Sequence, residues 1–283
     1  MTTRRSTTAG RGPVTARRAE AEGERVARRD EFEWLARAGL VARGVVYAVI
    51  GVLAVKLALG DGGKATDQQG ALATIAQQPF GKVLLSVVAI GLAGYAFWRL
   101  VRAAIGHGPE ASDDTKDRIA GLVSGLAYAA LCVTAIGILI GAGGGGGDPD
   151  KATGGVLGWP AGQVLVGLAG LVFIGVAADQ GRKGVKREFL EESKTEQMGP
   201  RMRPVFTAVG VAGHLARMVV FALIGVFVVK AAITYDADEA IGLDGALAKL
   251  GHSAYGPVAL GVVAAGLVCF AAYSVLDARY RRV

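Results

Sequence analysis

Long apolar runs alternate with short polar segments along this sequence. The runs are Gly44–Gly60, Val83–Trp98, Ile119–Gly143, Ala161–Ala178, Met218–Ile233 and Gly256–Leu276. A bilayer core needs about 20 largely apolar residues per helix. The third and sixth runs exceed that length. The second and fifth hold 16 residues each, so flanking residues must complete the crossing, which Lys and Arg stems allow. No run carries a polar stripe, and six such helices in a water-soluble protein would leave nothing to face solvent. The runs also lack the two-residue alternation of a membrane barrel strand, and open strands cannot satisfy their backbones in lipid. The pattern predicts an all-α, polytopic membrane protein with six transmembrane helices.

Charge adds an orientation. Residues 1 to 37 hold nine Arg, residues 99 to 118 four basic residues, residues 179 to 217 eight, and residues 277 to 283 three. The intervening segments have only Lys64, Lys151 and Lys249. Positive residues mark the cytoplasmic side, so both termini are expected inside, in a cell inner (plasma) membrane. The net charge of +7 is then a topology signal, and no nucleic-acid-binding motif accompanies it. The N-terminal tail is too long and mixed for a signal peptide. Cys132 and Cys269 sit in apolar runs and read as small packed hydrophobes rather than a disulfide.

The sequence also repeats. AGLVARGVVYAVIGVLAVK at 38–56 aligns with AGHLARMVVFALIGVFVVK at 212–230, and GALATIAQQPFG at 70–81 with GALAKLGHSAYG at 245–256. A weaker copy begins with AGLVSGLAYAALCV at Ala120 and is anchored on Gly162. Each unit reads as helix, outer loop, helix, and the units run parallel, unlike the inverted repeats of many transporters. The expected organisation is a disordered cytoplasmic tail at 1–33, two-helix units at 34–104, 116–184 and 208–280, and a cytoplasmic linker at 185–207. In the GALA segments Ala71, Leu72, Ile75 and Ala76, with Leu247 and Leu250 in the last copy, share a helical face. They predict a short amphipathic helix at the outer interface. The tract Gly141–Asp150 reads as a flexible outer loop.

The signatures AGLVARGVVY (Ala38–Tyr47) and AGHLARMVVF (Ala212–Phe221), with three tandem units, resemble the DUF1206 family, a bacterial membrane family of unknown function. The middle copy departs from the signature: Ser124 and Gly125 stand where Arg43 and Gly44 do, and Tyr128 is kept. The resemblance implies the same topology over about residues 34–280. It supplies no activity.

Candidate chemistry is sparse. Arg43 and Arg217 occupy equivalent positions at the cytoplasmic start of the first and fifth runs, and Lys56 and Lys230 equivalent positions at their outer ends. Interfacial anchoring accounts for all four; contact with a lipid or anion is the sharper reading. His214, one turn from Arg217, could pair with it. Asp179, and Asp277 with Arg279, read as solvated charges after the fourth and sixth runs. His107, His214 and His252 form no metal-ligand set. No run contains Asp or Glu, where a proton-coupled transporter places ionisable groups. No potassium-filter, Walker, HExxH or GxSxG motif occurs. The sequence thus suggests no catalytic residue, cofactor or metal. It favours a non-enzymatic structural or interaction role among membrane lipids, as a homo-oligomer or with other membrane proteins. One alternative is a small-solute transporter or channel, with a polar path along Ser86, Ser124, Gln163 and the tyrosines. Another is a lipid-binding or lipid-modifying protein. A dry bundle without a polar cavity is expected for the first reading.

Overall fold

The computed structural model describes residues 30–105, 115–142 and 149–282. Most of the basic tail, His107 and the centre of the Gly-rich tract lie outside these residues. The described chain is helical. Its long helices are α1 (Asp30–Leu59), α3 (Gly81–Ile105), α4 (Thr115–Leu139), α6 (Gly162–Lys186), α7 (Met202–Thr234) and α9 (Gly256–Tyr280). Three short helices, α2 (Gln68–Ala76), α5 (Pro149–Leu157) and α8 (Leu243–Gly251), each sit between two long ones. All six long helices are long and apolar enough to cross a membrane. The chain is a multi-pass membrane protein.

The helices outrun the apolar runs. α7 has 33 residues, about 50 Å at 1.5 Å per residue, against a hydrocarbon core of about 30 Å. Pro204 lies in its first turn, where its missing N–H is tolerated. Tyr235 ends it in a left-handed conformation at φ 55°, its N–H bonded to the Ala231 carbonyl, a common helix stop. α1 likewise starts at Asp30, inside the segment read as tail.

The short helices bear out the amphipathic reading of the GALA segments. Ala71, Leu72 and Ile75 are buried in α2, and Leu243, Ala246 and Leu247 in α8. Asp67 caps α2 by accepting the Gly70 N–H at 2.7 Å, as N-cap carboxylates do. The middle short helix, α5, begins at the end of the tract read as a loop. A glycine then opens the following long helix in all three places. A Cβ at Gly81 would lie 2.3 Å from the Ala76 carbonyl oxygen, at Gly162 1.9 Å from that of Val156, and at Gly256 1.8 Å from that of Gly251. No other residue lets the chain double back this tightly under its own short helix.

Packing among the long helices follows a cycle with one break. α3 packs along α4, α6 along α7, and α9 along α1. These crossings are built alike. Gly51 of α1 abuts Val268 and the Ala264 carbonyl, and Gly225 of α7 abuts Ile174 and the Gly170 carbonyl. At the matching place in α4, the Cys132 thiol reaches the Ala89 carbonyl at 3.5 Å. α1 also packs on α3, and α7 on α9. Gly39 and Gly91 make the first of these contacts: a Cβ on Gly91 would lie 2.9 Å from the Ala38 carbonyl oxygen. Gly213 and Gly266 make the second, with 3.1 Å from Gly266 to the Ala212 carbonyl oxygen. α4 and α6 share no comparable interface among the described residues. Their matching residues are Ala120 and Val172, so the paired glycines that bring backbones together are absent. The long helices therefore pack in the order α4, α3, α1, α9, α7, α6, with no comparable interface between α4 and α6 among the described residues.

The segment between α6 and α7 is folded rather than a plain linker. Phe189 is 1% exposed and packs against Phe206, His214 and Tyr273 at ring-centroid distances of 5.3 to 5.9 Å. The Lys194 N–H donates to the Tyr280 carbonyl at 2.6 Å and the Arg282 N–H to the Glu192 carbonyl at 3.0 Å. Arg281 and Glu192 form an ion pair at 2.6 Å. The segment is therefore clamped to the end of α9. We call this end of the bundle the linker side and the opposite end the short-helix side.

Candidate functional site

Arg43 is the fourteenth of thirty residues in α1, well inside the helix rather than at its start. It is buried at 7% exposure. Its Nε donates to Ser274 Oγ at 3.1 Å, one terminal nitrogen to the Tyr95 hydroxyl at 3.3 Å, and the other approaches Asp277 Oδ2 at 3.5 Å. The rings of Phe270 and Tyr95 lie 5.1 and 5.7 Å from the guanidinium carbon. Asp277 is fully buried and also accepts from Arg281 at 3.2 Å. This corrects the reading of Asp277 as a solvated charge: α9 continues past the apolar run and carries it into the bundle. Arg279 remains exposed. Asp179 pairs with Lys183 at 2.9 Å on the surface of α6.

Arg217 occupies the equivalent place in α7 but has different company. Adding the repeat offset places Gln180 and Lys183 of α6 where α9 offers Ser274 and Asp277 to Arg43. A lysine replaces the carboxylate. Gln180 is engaged elsewhere: its Oε1 lies 2.7 Å from His214 Nδ1. His214 therefore pairs with Gln180, not with Arg217. Among the described residues no carboxylate forms an ion pair with Arg217, and its Nε is buried without a hydrogen-bond partner. Aromatic faces surround it instead, with Phe270 at 4.4 Å, Phe221 at 5.2 Å and Tyr47 at 5.5 Å. Cation–π attraction holds the guanidinium there in place of an ion pair with a described residue.

Arg217 lines a cavity of about 520 Å³, within the roughly 300–1,000 Å³ span of ligand pockets. Leu165, Val166, Ala169 and Phe173 of α6 form one wall; Val220, Phe221, Ile224 and Val228 of α7 form the next. Tyr47 of α1 and Leu267 of α9 close the deep end beside Arg217. Asp67 and Gln68, Thr153 of α5, and Gly242 and Leu243 at the start of α8 frame the short-helix end. Arg217 to Val228 spans 11 residues, roughly 16 Å along the axis. The wall between those ends is apolar. α3 and α4 contribute no lining residue.

The other candidates lie apart from this cavity. Lys56 is exposed, and Lys230 pairs with Glu239 at 2.7 Å. Ser86, Ser124 and Gln163 do not line it; Ser86 bonds its own helix at Lys82, and Gln163 bonds the Ala232 carbonyl. Among the described residues no group of three or more His, Cys, Asp or Glu could hold a metal.

The chain is 36% identical over 250 residues to the "Uncharacterized protein YxxB" of Bacillus subtilis (strain 168), covering 87% of this chain and 90% of the relative. No solved structure matches it. The family described as Domain of Unknown Function (DUF1206) matches three times, at residues 38–106, 119–187 and 212–281, one match for each succession of long, short and long helix, and the chain belongs to that family.

Proposed function

We propose that this membrane protein acts without catalysis, as an intramembrane binding protein that holds a lipid-like molecule in the cavity between α1, α6, α7 and α9. The carrying observation is the cavity itself: about 520 Å³, walled by apolar side chains over most of its length. Lipid tails fill such a space at no cost in unsatisfied polar groups. The place between α4 and α6, where no comparable interface forms among the described residues, would in this reading be the lateral way in from the bilayer. In this reading the chain forms three parallel two-helix units with both termini cytoplasmic, so the short-helix side faces outward. The apolar wall and the absence of Ser86, Ser124 and Gln163 from the lining favour a binding site over a polar conduit.

The test is lipid retention. Full-length protein extracted in mild detergent is analysed by native mass spectrometry, beside Ala169→Trp, which places an indole in the cavity. Wild type should carry a bound hydrophobic molecule that the variant loses. An empty wild-type protein, or equal loads in both, would sink the reading. Solute flux through vesicles reconstituted with the protein would favour the transporter alternative.

A further inference from the structure

We infer that the cavity selects a single-chain lipid ending in a carboxylate, and that Arg217 is the residue that binds its head group. The inference rests on the lipid-binding reading above and adds the charge and the direction of the ligand.

Arg43 and Arg217 hold matching positions in α1 and α7, and both lie on aromatic faces. Arg43 has a serine, a tyrosine and an aspartate within reach, so its charge is neutralised inside the bundle. Arg217 has Lys183 where the aspartate would stand, and the intervening glutamine is bound to His214. Arg217 is half-buried, and no counter-charge among the described residues meets it. One arginine is thus completed by the protein. The other lines a cavity, with no ion-pair partner among the described residues.

The ligand's properties follow. A monoanion matches one guanidinium, and a carboxylate can accept two parallel N–H bonds from it. A phosphomonoester would bring a second charge with no second cation among the described lining residues to meet it. Tyr47 lines the same end and makes no hydrogen bond among the described residues, so its hydroxyl is a second donor for the head group. The walls from Val220 to Val228 take one apolar chain. Asp67 at the far end disfavours an anion there, so the carboxylate points toward Arg217 and the tail toward the short-helix side.

The experiment compares oleate with oleyl alcohol at pH 8, where oleate is ionised and both chains are alike. Equilibrium binding is measured on the full-length protein in phosphatidylcholine nanodiscs, for wild type, Arg217→Gln, Arg217→Lys and Arg43→Lys. Wild type should bind oleate about tenfold or more tightly than the alcohol, the yield of one charge-assisted hydrogen-bonded pair. Arg217→Gln should remove that preference while keeping the alcohol's affinity, which also shows that the variant is folded. Arg217→Lys should keep part of the preference, and Arg43→Lys all of it. No preference in wild type, or a preference that survives Arg217→Gln, overturns the head-group assignment and leaves lipid binding standing. Failure of both ligands to bind wild type overturns the lipid-binding reading as well.

Discussion

The Arg43 guanidinium meets the Asp277 carboxylate at 3.5 Å across 234 residues of sequence, where α1 crosses α9. Asp277 also receives Arg281, so one buried carboxylate joins two basic residues. Breaking a buried pair from one side costs about 3–5 kcal/mol, because it strands the partner's charge. Asp277→Asn should therefore lower the thermal unfolding midpoint in detergent markedly. Arg217→Gln, which breaks no ion pair, should not. A double substitution Arg43→Met with Asp277→Leu should recover much of the loss. Equal midpoints for Asp277→Asn and wild type would mean the pair does not hold α1 to α9.

Glycine placement makes a second prediction. Gly91→Val and Gly266→Val insert the residue found at the matching position of the middle unit, Val172. Each sets a Cβ near 3 Å from a carbonyl oxygen of the facing helix, and overpacking of this kind costs about 1–3 kcal/mol or more. Both variants should unfold earlier. Gly175→Val is the control, because nothing lies within 4 Å of its Cβ position. Its midpoint should match wild type.

On the linker side, Arg281 joins Glu192 and Asp277, and the backbones of residues 193 and 281 form a bridge. Arg281→Ala should release residues 187–201 from the end of α9. Limited proteolysis of the membrane-embedded protein reads this directly. Cleavage within that segment should become faster in the variant, while the spans stay protected.

The same clamp should be acid-sensitive. Burial raises the Glu192 carboxyl, but the charges of Arg281, Lys183 and Arg99 together, with the Arg281 hydrogen bond, outweigh it and hold the group below the ordinary carboxylate range. A carboxylate whose folded pKa is depressed contributes stability above its unfolded pKa, about 4.3 for Glu. That stability is lost as pH falls through the folded value. Proteolysis or hydrogen exchange of residues 187–201 should therefore accelerate below about pH 4. Glu192→Gln should remove this pH step and leave the segment looser at neutral pH. Glu239 is held low as well, chiefly by its hydrogen bond from Lys230. It lies on the surface, so its acid effect should be local to residues 235–242.

The sequence by itself determined the six spans, the all-helical class and the short helices of the two GALA segments, though not α5. These follow from patterns local in the chain: a run of about 20 apolar residues, or a face recurring every three to four residues. Its internal matches also identified the positions that later proved to be packing points, such as Gly81, Gly162 and Gly256. Tertiary structure alone decided what each charge does. Arg43 and Arg217 look alike in sequence, and only the neighbouring helix separates them: Asp277 reaches Arg43, while the repeat-equivalent Lys183 pairs with Asp179 instead. Asp277 looked solvated because it follows an apolar run, yet α9 carries it into the interior. His214 turned to Gln180 on another helix rather than to Arg217 on its own. The cavity, too, needs four helices to exist, and the lack of a comparable α4–α6 interface among the described residues rests on which faces meet. Hydropathy is a property of each segment and is written residue by residue. Charge compensation and voids are properties of pairs and groups brought together by packing, and no single segment contains them.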